Sequence, residues 1–210
     1  MKYHICFLNN KKGKNMEKEI IIASNNKGKI REIEDILKGY KVVSMKELGI
    51  DIEIEEDGET FEENALIKAR TIAKMTGKLC IADDSGLCME AFDGFPGIKT
   101  ARFLGENATQ AERNNYIVEK VQGLPREKRK CKFVCTIAVV IPEREEKTFT
   151  GELEGYITTE IRVEGGFGMD PIFELEDGKT LSEIGTEAKD KISHRYKALV
   201  QLREYLKSIM

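Results

Sequence analysis

The nine residues "FVCTIAVVI", at positions 133 to 141, are apolar except for one threonine. A strand with one face in water alternates apolar and polar residues, and this run shows no such alternation. Both faces of the strand are therefore predicted to be covered by other parts of the chain. Covering both faces of a sheet requires a layered fold.

Helical patterns precede and follow this strand. The first predicted helix begins after Asn26, a suitable N-cap, carries isoleucines at helical spacing and ends near Gly39. Two Thr-x-x-Glu capping boxes, at 60–63 and 109–112, predict helices that run to about Gly77 and Gly123. A C-terminal helix is marked by Ile192, Leu199, Leu202, Leu206 and Ile209.

Further strands are predicted at 79–82, 147–156 and 171–175. Helices and strands that alternate in this way indicate an α/β fold with a mixed sheet and flanking helices. Residues 1–15 precede a second methionine and have no clear period, so they are predicted to be an N-terminal extension or an upstream start. Residues 16–210 are predicted to form a single domain, long enough to bury a substantial core.

Composition argues against several classes of protein. The formal net charge is -3, with both signs interspersed, and the basic run "REKRKCK" lacks interleaved aromatics, so nucleic-acid binding is not expected. No stretch approaches the roughly 20 apolar residues of a membrane span, and the first fifteen residues are not a secretory signal. Five cysteines, an odd number, fit reduced thiols, and only two histidines could complete a zinc site with Cys131 and Cys135. A cytoplasmic protein is predicted.

Three polar clusters interrupt apolar segments where elements end, a common place for ligand sites in α/β proteins. The first, "SNNKGK" at 24–29, lacks the Walker A spacing. It suits a turn at a helix start, and it also suits an anion held at a helix N-terminus. The residues alone leave both interpretations open.

The second cluster, "ADDSG" at 82–86, puts Asp83 and Asp84 side by side at the end of a buried strand. Carboxylates in that position suit a hard cation such as Mg²⁺, which takes oxygen ligands from one or two carboxylates and from substrate phosphates. An Asx-turn that caps the strand is the alternative. The acidic residues 55–57 precede a helix, and such a run is typical of a solvated face that favours the helix dipole.

The third cluster, "GGFGMD" at 165–170, combines a permissive backbone with Phe167, which suits either stacking on a base or a turn with the ring in the core. Near the last predicted helix, "KDKISHR" at 189–195 gathers three cations and His194. Positive charge beside a helix N-terminus indicates an anion. Together the clusters supply cations for a polyphosphate, carboxylates for Mg²⁺ and a ring for a base, which points to nucleotide phosphate chemistry.

Six segments, in this order and spacing, resemble the inosine/xanthosine triphosphate pyrophosphatases: "SNNKGK", "EEDGETFEENALIKA", "ADDSGL", "GFPGIKTARF", "GGFGMDPIF" and "KISHR". The similarity covers about residues 19–207. It implies an elongated α/β fold of two lobes with a nucleotide cleft between them, and a homodimer. It also implies Mg²⁺-dependent hydrolysis of ITP, dITP or XTP to the monophosphate and pyrophosphate, which removes these nucleotides before they enter DNA or RNA.

The resemblance also implies roles for individual residues. Asp84 would be the general base and, with Glu55, a Mg²⁺ ligand, while Asp83 would share the metal. The substrate would be bound by Ser24, Asn25, Asn26, Lys27, Gly28, Lys29, Ser85, Phe167, Gly168, Met169, Asp170, Lys189, His194 and Arg195.

This chain has Met169 where the family commonly has an aromatic residue, so a thioether would contact the base there. Donors near His194 and Arg195 would favour a 6-oxo purine over adenine. Two alternatives are a pyrophosphatase that accepts a broader set of modified nucleotides and a regulatory protein that binds nucleotides without turnover.

Overall fold

The computed structural model describes residues 18–163 and 168–210. Its strands form one six-stranded mixed sheet with the order β2, β1, β3, β4, β5, β6. Strand β1 pairs in parallel with β2 and β3, and all other pairs are antiparallel. The strands are β1 Lys18–Ile22, β2 Tyr40–Ser44, β3 Cys80–Met89, β4 Lys130–Ile141, β5 Glu145–Ile157 and β6 Phe173–Glu174. The predicted mixed α/β fold is confirmed.

The three helices with predicted caps begin where those residues predict, while α1 and α3 end three residues before Gly39 and Gly123. Asn26 caps α1, Thr60 and Thr109 form capping boxes at α2 and α3, and Gly77 ends α2 in the left-handed conformation. The helices are α1 Lys27–Ile36, α2 Phe61–Thr76, α3 Gln110–Lys120, α4 Leu181–Ile184, α5 Thr186–Lys189 and α6 His194–Ile209. The predicted C-terminal helix is confirmed from His194, while Ile192 precedes it and is exposed.

Strand β4 is buried along most of its length, as its apolar run predicts. At one end of the long strands, α6 packs on one face of the sheet through Leu199 and Leu202. Helix α2 packs in a separate apolar cluster through Ala69 and Ile72. A third cluster, around Phe173, lies toward the other end and includes residues of α3. The polar part of β3 lies between these apolar clusters, which leaves room for a site.

Strand β3 is longer than predicted. The strand expected at 79–82 continues to Met89, so Asp83 and Asp84 lie inside a strand, opposite Ile137 and Thr136. Strand β3 forms ten residue pairs with β4, so its backbone is hydrogen-bonded along the polar residues as well. Neither aspartate is therefore needed to cap the strand in an Asx-turn. Strand β2 and the short helices α4 and α5 were not predicted, because each is too short to show a period.

The predicted extension at 1–15 and Phe167 lie outside the described residues. Within the described ranges, no helix combines the length and the apolar character that crossing a membrane requires.

Candidate active site

A cavity of about 430 Å³ opens beside the middle of β3. Its lining comes from β3, β4 and α5, from the starts of α1, α3 and α6, and from residues 100–101 and 168–170. Nine of the predicted site residues line it: Asn26, Lys29, Ser85, Gly168, Met169, Asp170, Lys189, His194 and Arg195. Segments that are far apart in the sequence therefore meet at one place, as the predicted nucleotide site requires.

The loop "SNNKGK" combines the two roles that its sequence left open. The Asn26 side chain accepts hydrogen bonds from the backbone nitrogens of Gly28 and Lys29, which makes it the cap of α1. Ser24 accepts a hydrogen bond from the Asn26 nitrogen, and Asn25 accepts one from the Lys46 nitrogen. The hydrogen bonds of the predicted turn are therefore present. The turn also directs Lys29 toward β3, where its Nζ lies 3.0 Å from Asp83 Oδ2.

Asp83 and Asp84 are neighbours in a strand, so their side chains point to opposite faces of the sheet. Asp83 meets Lys29 and Arg195, whose nitrogens lie 3.0 and 3.2 Å from its Oδ2. Although burial opposes the charge of Asp83, Lys29 and Arg195 lower the pKa of this carboxyl below its ordinary value. Asp83 is therefore a permanent anion that fixes two cations.

The environment of Asp84 disfavours its charge, whereas that of Asp83 favours it. Burial raises the pKa of its carboxyl, Glu56 and Asp83 add to the rise, and Lys68 opposes it. Lys68 Nζ lies 3.7 Å from Asp84 Oδ1, which also accepts a hydrogen bond from the Ser85 nitrogen. Asp84 Oδ2 is buried without a hydrogen-bond partner among the described residues. A carboxylate of this kind is ready to accept a proton.

Sequence reasoning did not single out Lys68 as a site residue. Burial opposes its charge, but Asp84, Asp83 and Glu56 together raise the pKa of its ammonium group. The signal was present in "ENALIKA", because a lysine that faces the sheet from an amphipathic helix needs an anionic partner. Glu56 supplies one at 2.8 Å.

The structure does not bring Glu55 to this group. Its side chain is exposed, and the neighbouring Glu56 is the acidic residue that contacts Lys68. Glu55 as a metal ligand stays a prediction. A second cavity of about 270 Å³ is lined by Ser24, Asn25, Lys29, Glu56, Lys68 and Asp83, among others. Lys29 lines the first cavity as well, so the two cavities meet at this side chain.

Arg195 connects α6 to the rest of the site. Its guanidinium donates to Glu32 Oε2 at 2.6 Å and to Asp83 Oδ2 at 3.2 Å, and it also reaches Ser85 Oγ at 3.2 Å. Burial opposes its charge, yet Asp83 and Glu32 raise the pKa of Arg195 above the ordinary arginine value. The side chain is only 3% exposed. Its planar fork therefore holds α1, β3 and α6 in one geometry.

Stacked rings form the other end of the cavity. The His194 imidazole stacks on Phe133 with 4.9 Å between centroids, and Phe133 stacks on Phe173 at 4.5 Å. Phe133 lines the cavity, although sequence analysis placed it only in the buried strand. Burial, aided by the charges of Arg195 and Lys189, lowers the pKa of His194 well below 6.5. The buried imidazole is therefore neutral at pH 7.

The neutral His194 predicts a specific loss of stability in mild acid. The unfolded chain binds a proton near pH 6.5 and the folded chain does not, so stability is present above that pH and falls as the pH drops below it. Between pH 7.5 and 5.5 the expected contribution is about 1 kcal/mol. Urea unfolding at both pH values checks this. The variant His194→Gln should show a smaller loss than wild type, and an equal loss in both proteins would contradict the assignment.

Residues 168–170 form one wall of the cavity and are fixed at several points. Lys189 Nζ donates to Asp170 Oδ2 at 2.7 Å, and both side chains are buried. Met169 is 3% exposed and packs in the apolar cluster that contains Phe173. The Gly168 carbonyl accepts a hydrogen bond from Asn114 Nδ2 at 3.2 Å. The side chains that were predicted to contact a base therefore also hold this wall in place.

Gly151 of β5 lies against the start of α6. A Cβ atom at this position would lie 2.2 Å from the His194 carbonyl oxygen and 2.6 Å from the Ala198 nitrogen. Only a residue without a side chain allows the helix to approach the strand so closely.

Each carboxylate has an oxygen of the kind that the predicted Mg²⁺ binds. Asp83 Oδ1 and Asp84 Oδ2 are both buried and have no hydrogen-bond partner among the described residues. In the same part of the chain, no group of three or more histidine, cysteine, aspartate or glutamate side chains converges on one point. Because the two carboxylates face opposite sides of the sheet, a single ion would take one of these oxygens, and substrate phosphates would supply further ligands.

The fold and the site define a class of protein: a mixed α/β protein whose cleft suits a ring at one end and a polyphosphate at the other. The chain belongs to the Ham1 family, because the model of that family matches residues 20–205.

Several relatives cover nearly the whole chain. The dITP/XTP pyrophosphatase of Bacillus licheniformis is 46% identical over 192 residues, which are 90% of this chain and 98% of the relative. The protein of the same name from Caldanaerobacter subterraneus subsp. tengcongensis is 50% identical, over 89% of this chain and 95% of the relative. The solved structure of the Staphylococcus aureus Ham1 protein has a TM-score of 0.84 at 41% identity, and the match covers 92% of this chain and 100% of that one.

Proposed function

We propose that this protein hydrolyses non-standard purine nucleoside triphosphates, namely ITP, dITP and XTP, to the monophosphate and pyrophosphate. One observation carries the proposal: the neighbours Asp83 and Asp84 have carboxyl pKa values displaced in opposite directions. Environments that separate two carboxyl groups in this way identify one as the proton acceptor and the other as a fixed charge. The names of the relatives, dITP/XTP pyrophosphatase, supply the substrate class.

The triphosphate would lie along the space that the two cavities share. Lys29 lines both cavities, and Lys68 lines the second. Their charges would neutralise phosphate oxygens, which is the main requirement of phosphoryl transfer. Asp84 would then accept a proton from the water that attacks the α-phosphorus, and pyrophosphate would leave.

Mg²⁺ remains part of this proposal. Asp84 would hold it through its unpartnered Oδ2, with Glu55 as a predicted second ligand. Asp83 faces the other side of the sheet, where it pairs with Lys29 and Arg195, and its share in the metal stays a prediction. When bound, Mg²⁺ would neutralise phosphate charge and polarise the attacking water. The homodimer and the cytoplasmic location also remain predictions.

The base would occupy the end of the first cavity that is lined by Phe133 and His194. Because the pKa of His194 is lowered, its neutral imidazole offers one donor and one acceptor at pH 7. Arg195 lies beside it as a permanent donor. Donors at this end pair with a 6-oxo purine and leave the amino group of adenine unmatched, which is costly in a buried site.

A panel of nucleotides tests the proposal directly. With Mg²⁺ present, we expect dITP, ITP and XTP to be hydrolysed at least about tenfold faster than ATP and GTP, judged by kcat/KM. A phosphate assay should detect the product only after an inorganic pyrophosphatase is added, because the product is pyrophosphate. Direct release of phosphate would contradict the proposed reaction. Equal rates on all five nucleotides would favour the broader pyrophosphatase, and binding without turnover would favour the regulatory protein.

A further inference from the structure

The wall of the cavity at residues 168–170 is tied to α3 by a pair of amide side chains. Gln110 Nε2 donates to Asn114 Oδ1 at 2.8 Å, and Asn114 Nδ2 donates to the Gly168 carbonyl at 3.2 Å. Gln110 and Asn114 are one turn apart, so they share a face of the helix. None of the roles proposed above requires either residue.

The direction of these hydrogen bonds decides what the wall offers to a ligand. Gly168 lines the cavity, but its carbonyl oxygen is directed to Asn114, which is 5% exposed and does not line the cavity. Gly168 has a φ of +65°, a conformation that glycine adopts without strain. The backbone acceptor of this residue is therefore already engaged by a side chain of helix α3.

Gln110 fixes which way the Asn114 amide faces. An asparagine amide can present either its oxygen or its nitrogen to a neighbour, and the choice follows from its other hydrogen bonds. Because Gln110 donates to Asn114 Oδ1, the nitrogen of Asn114 remains for Gly168. The pair thus acts as one unit that ends at the wall of the cavity.

We propose that Asn114, oriented by Gln110, is a positioning residue for purine selectivity, because it engages the Gly168 carbonyl and so makes it a poorer acceptor for a 2-amino group. This inference rests on the proposed function. Hypoxanthine has only hydrogen at position 2 and loses no hydrogen bond there. Guanine has an amino group, which would lose its hydrogen bonds to water at this wall without a replacement. Guanine would thereby be rejected although it shares the 6-oxo group.

The test compares Asn114→Leu and Asn114→Asp with wild type on dITP and dGTP. Both variants lose the donor to Gly168, and the aspartate keeps the size of the original side chain. We expect the ratio of kcat/KM for dITP to that for dGTP to fall by about tenfold in both variants. The ratio is measured within one preparation, so a fraction of misfolded protein does not alter it. Asn115→Leu, a substitution at the exposed neighbour on α3, should leave the ratio unchanged.

The outcomes separate this inference from the proposed function. If the two rates fall together and their ratio is preserved, Asn114 only supports the fold and the inference is overturned. If wild type releases no pyrophosphate from dITP, the proposed function fails. Calorimetric binding of IMP and GMP then tests the wall without turnover. A fall in the preference for IMP over GMP in both Asn114 variants would support the inference, and an unchanged preference would overturn it.

Discussion

Replacing Asp84 with asparagine is expected to lower kcat for dITP by about 10²- to 10⁴-fold, the usual contribution of a general base. The asparagine oxygen can still accept the hydrogen bond from the Ser85 nitrogen, so the local backbone should be kept. Burial already raises the pKa of the Asp84 carboxyl, so a neutral side chain there should not reduce the melting temperature. Steady-state kinetics and thermal unfolding of the same preparation check both statements.

The variant also allows binding to be separated from turnover. Asp84→Asn should bind ITP, measured by calorimetry, because Lys29, His194 and Arg195 remain in place. Asp57→Asn removes one exposed carboxylate from the acidic loop and should have wild-type activity. Substantial turnover by Asp84→Asn would rule out Asp84 as the proton acceptor.

Replacing Arg195 with methionine is expected to destabilise the fold by about 3–5 kcal/mol, because it leaves the buried Glu32 and Asp83 without their shared cation. For a chain of this size, that loss lowers the melting temperature by about 6–20 °C. Activity should be lost as well. Differential scanning calorimetry measures the change in stability independently of activity.

Two further variants show whether uncompensated charge is the cause. Arg70→Met breaks an exposed ion pair with Glu146 and should cost no more than about 1 kcal/mol. The double variant Glu32→Met with Arg195→Met removes one of the stranded carboxylates, and Asp83 keeps Lys29 at 3.0 Å. It should be more stable than Arg195→Met alone. A double variant that is less stable would show that packing around Arg195 matters more than its charge.

The sequence predicted the fold well where a local signal decides the structure. The caps at Asn26, Thr60 and Thr109 mark helix starts because their side chains bond the first free backbone groups of the helix. The run around Val139 predicts a covered strand because both its faces are apolar. Strand β3 was cut short at Ala82, because its continuation through polar residues depends on pairing with β4, which is not local information.

The site was predicted less completely, for a related reason. Lys29, Asp83 and Arg195 are recognisable by type and position, and the structure brings them together. Lys68 and Phe133 were missed as site residues, because each belongs to an apolar segment and is functional only through what lies opposite. Which of the adjacent Glu55 and Glu56 contacts Lys68 could not be decided in advance, since neighbouring residues in an irregular loop have no fixed facing.

Gly151 shows how far the control of this site extends beyond the residues that line it. Gly151 does not line the cavity, yet its lack of a side chain sets the distance between β5 and the backbone of α6. That distance also sets how deeply His194 lies in the cavity. Because Gly151 has no side chain, the strand and the helix can touch at this point. An alanine at position 151 would leave every side chain that faces the ligand unchanged. It would nevertheless push α6 away from β5 and misalign the two ends of the cavity. Two relatives with identical site residues can therefore differ in activity through a position that touches no substrate.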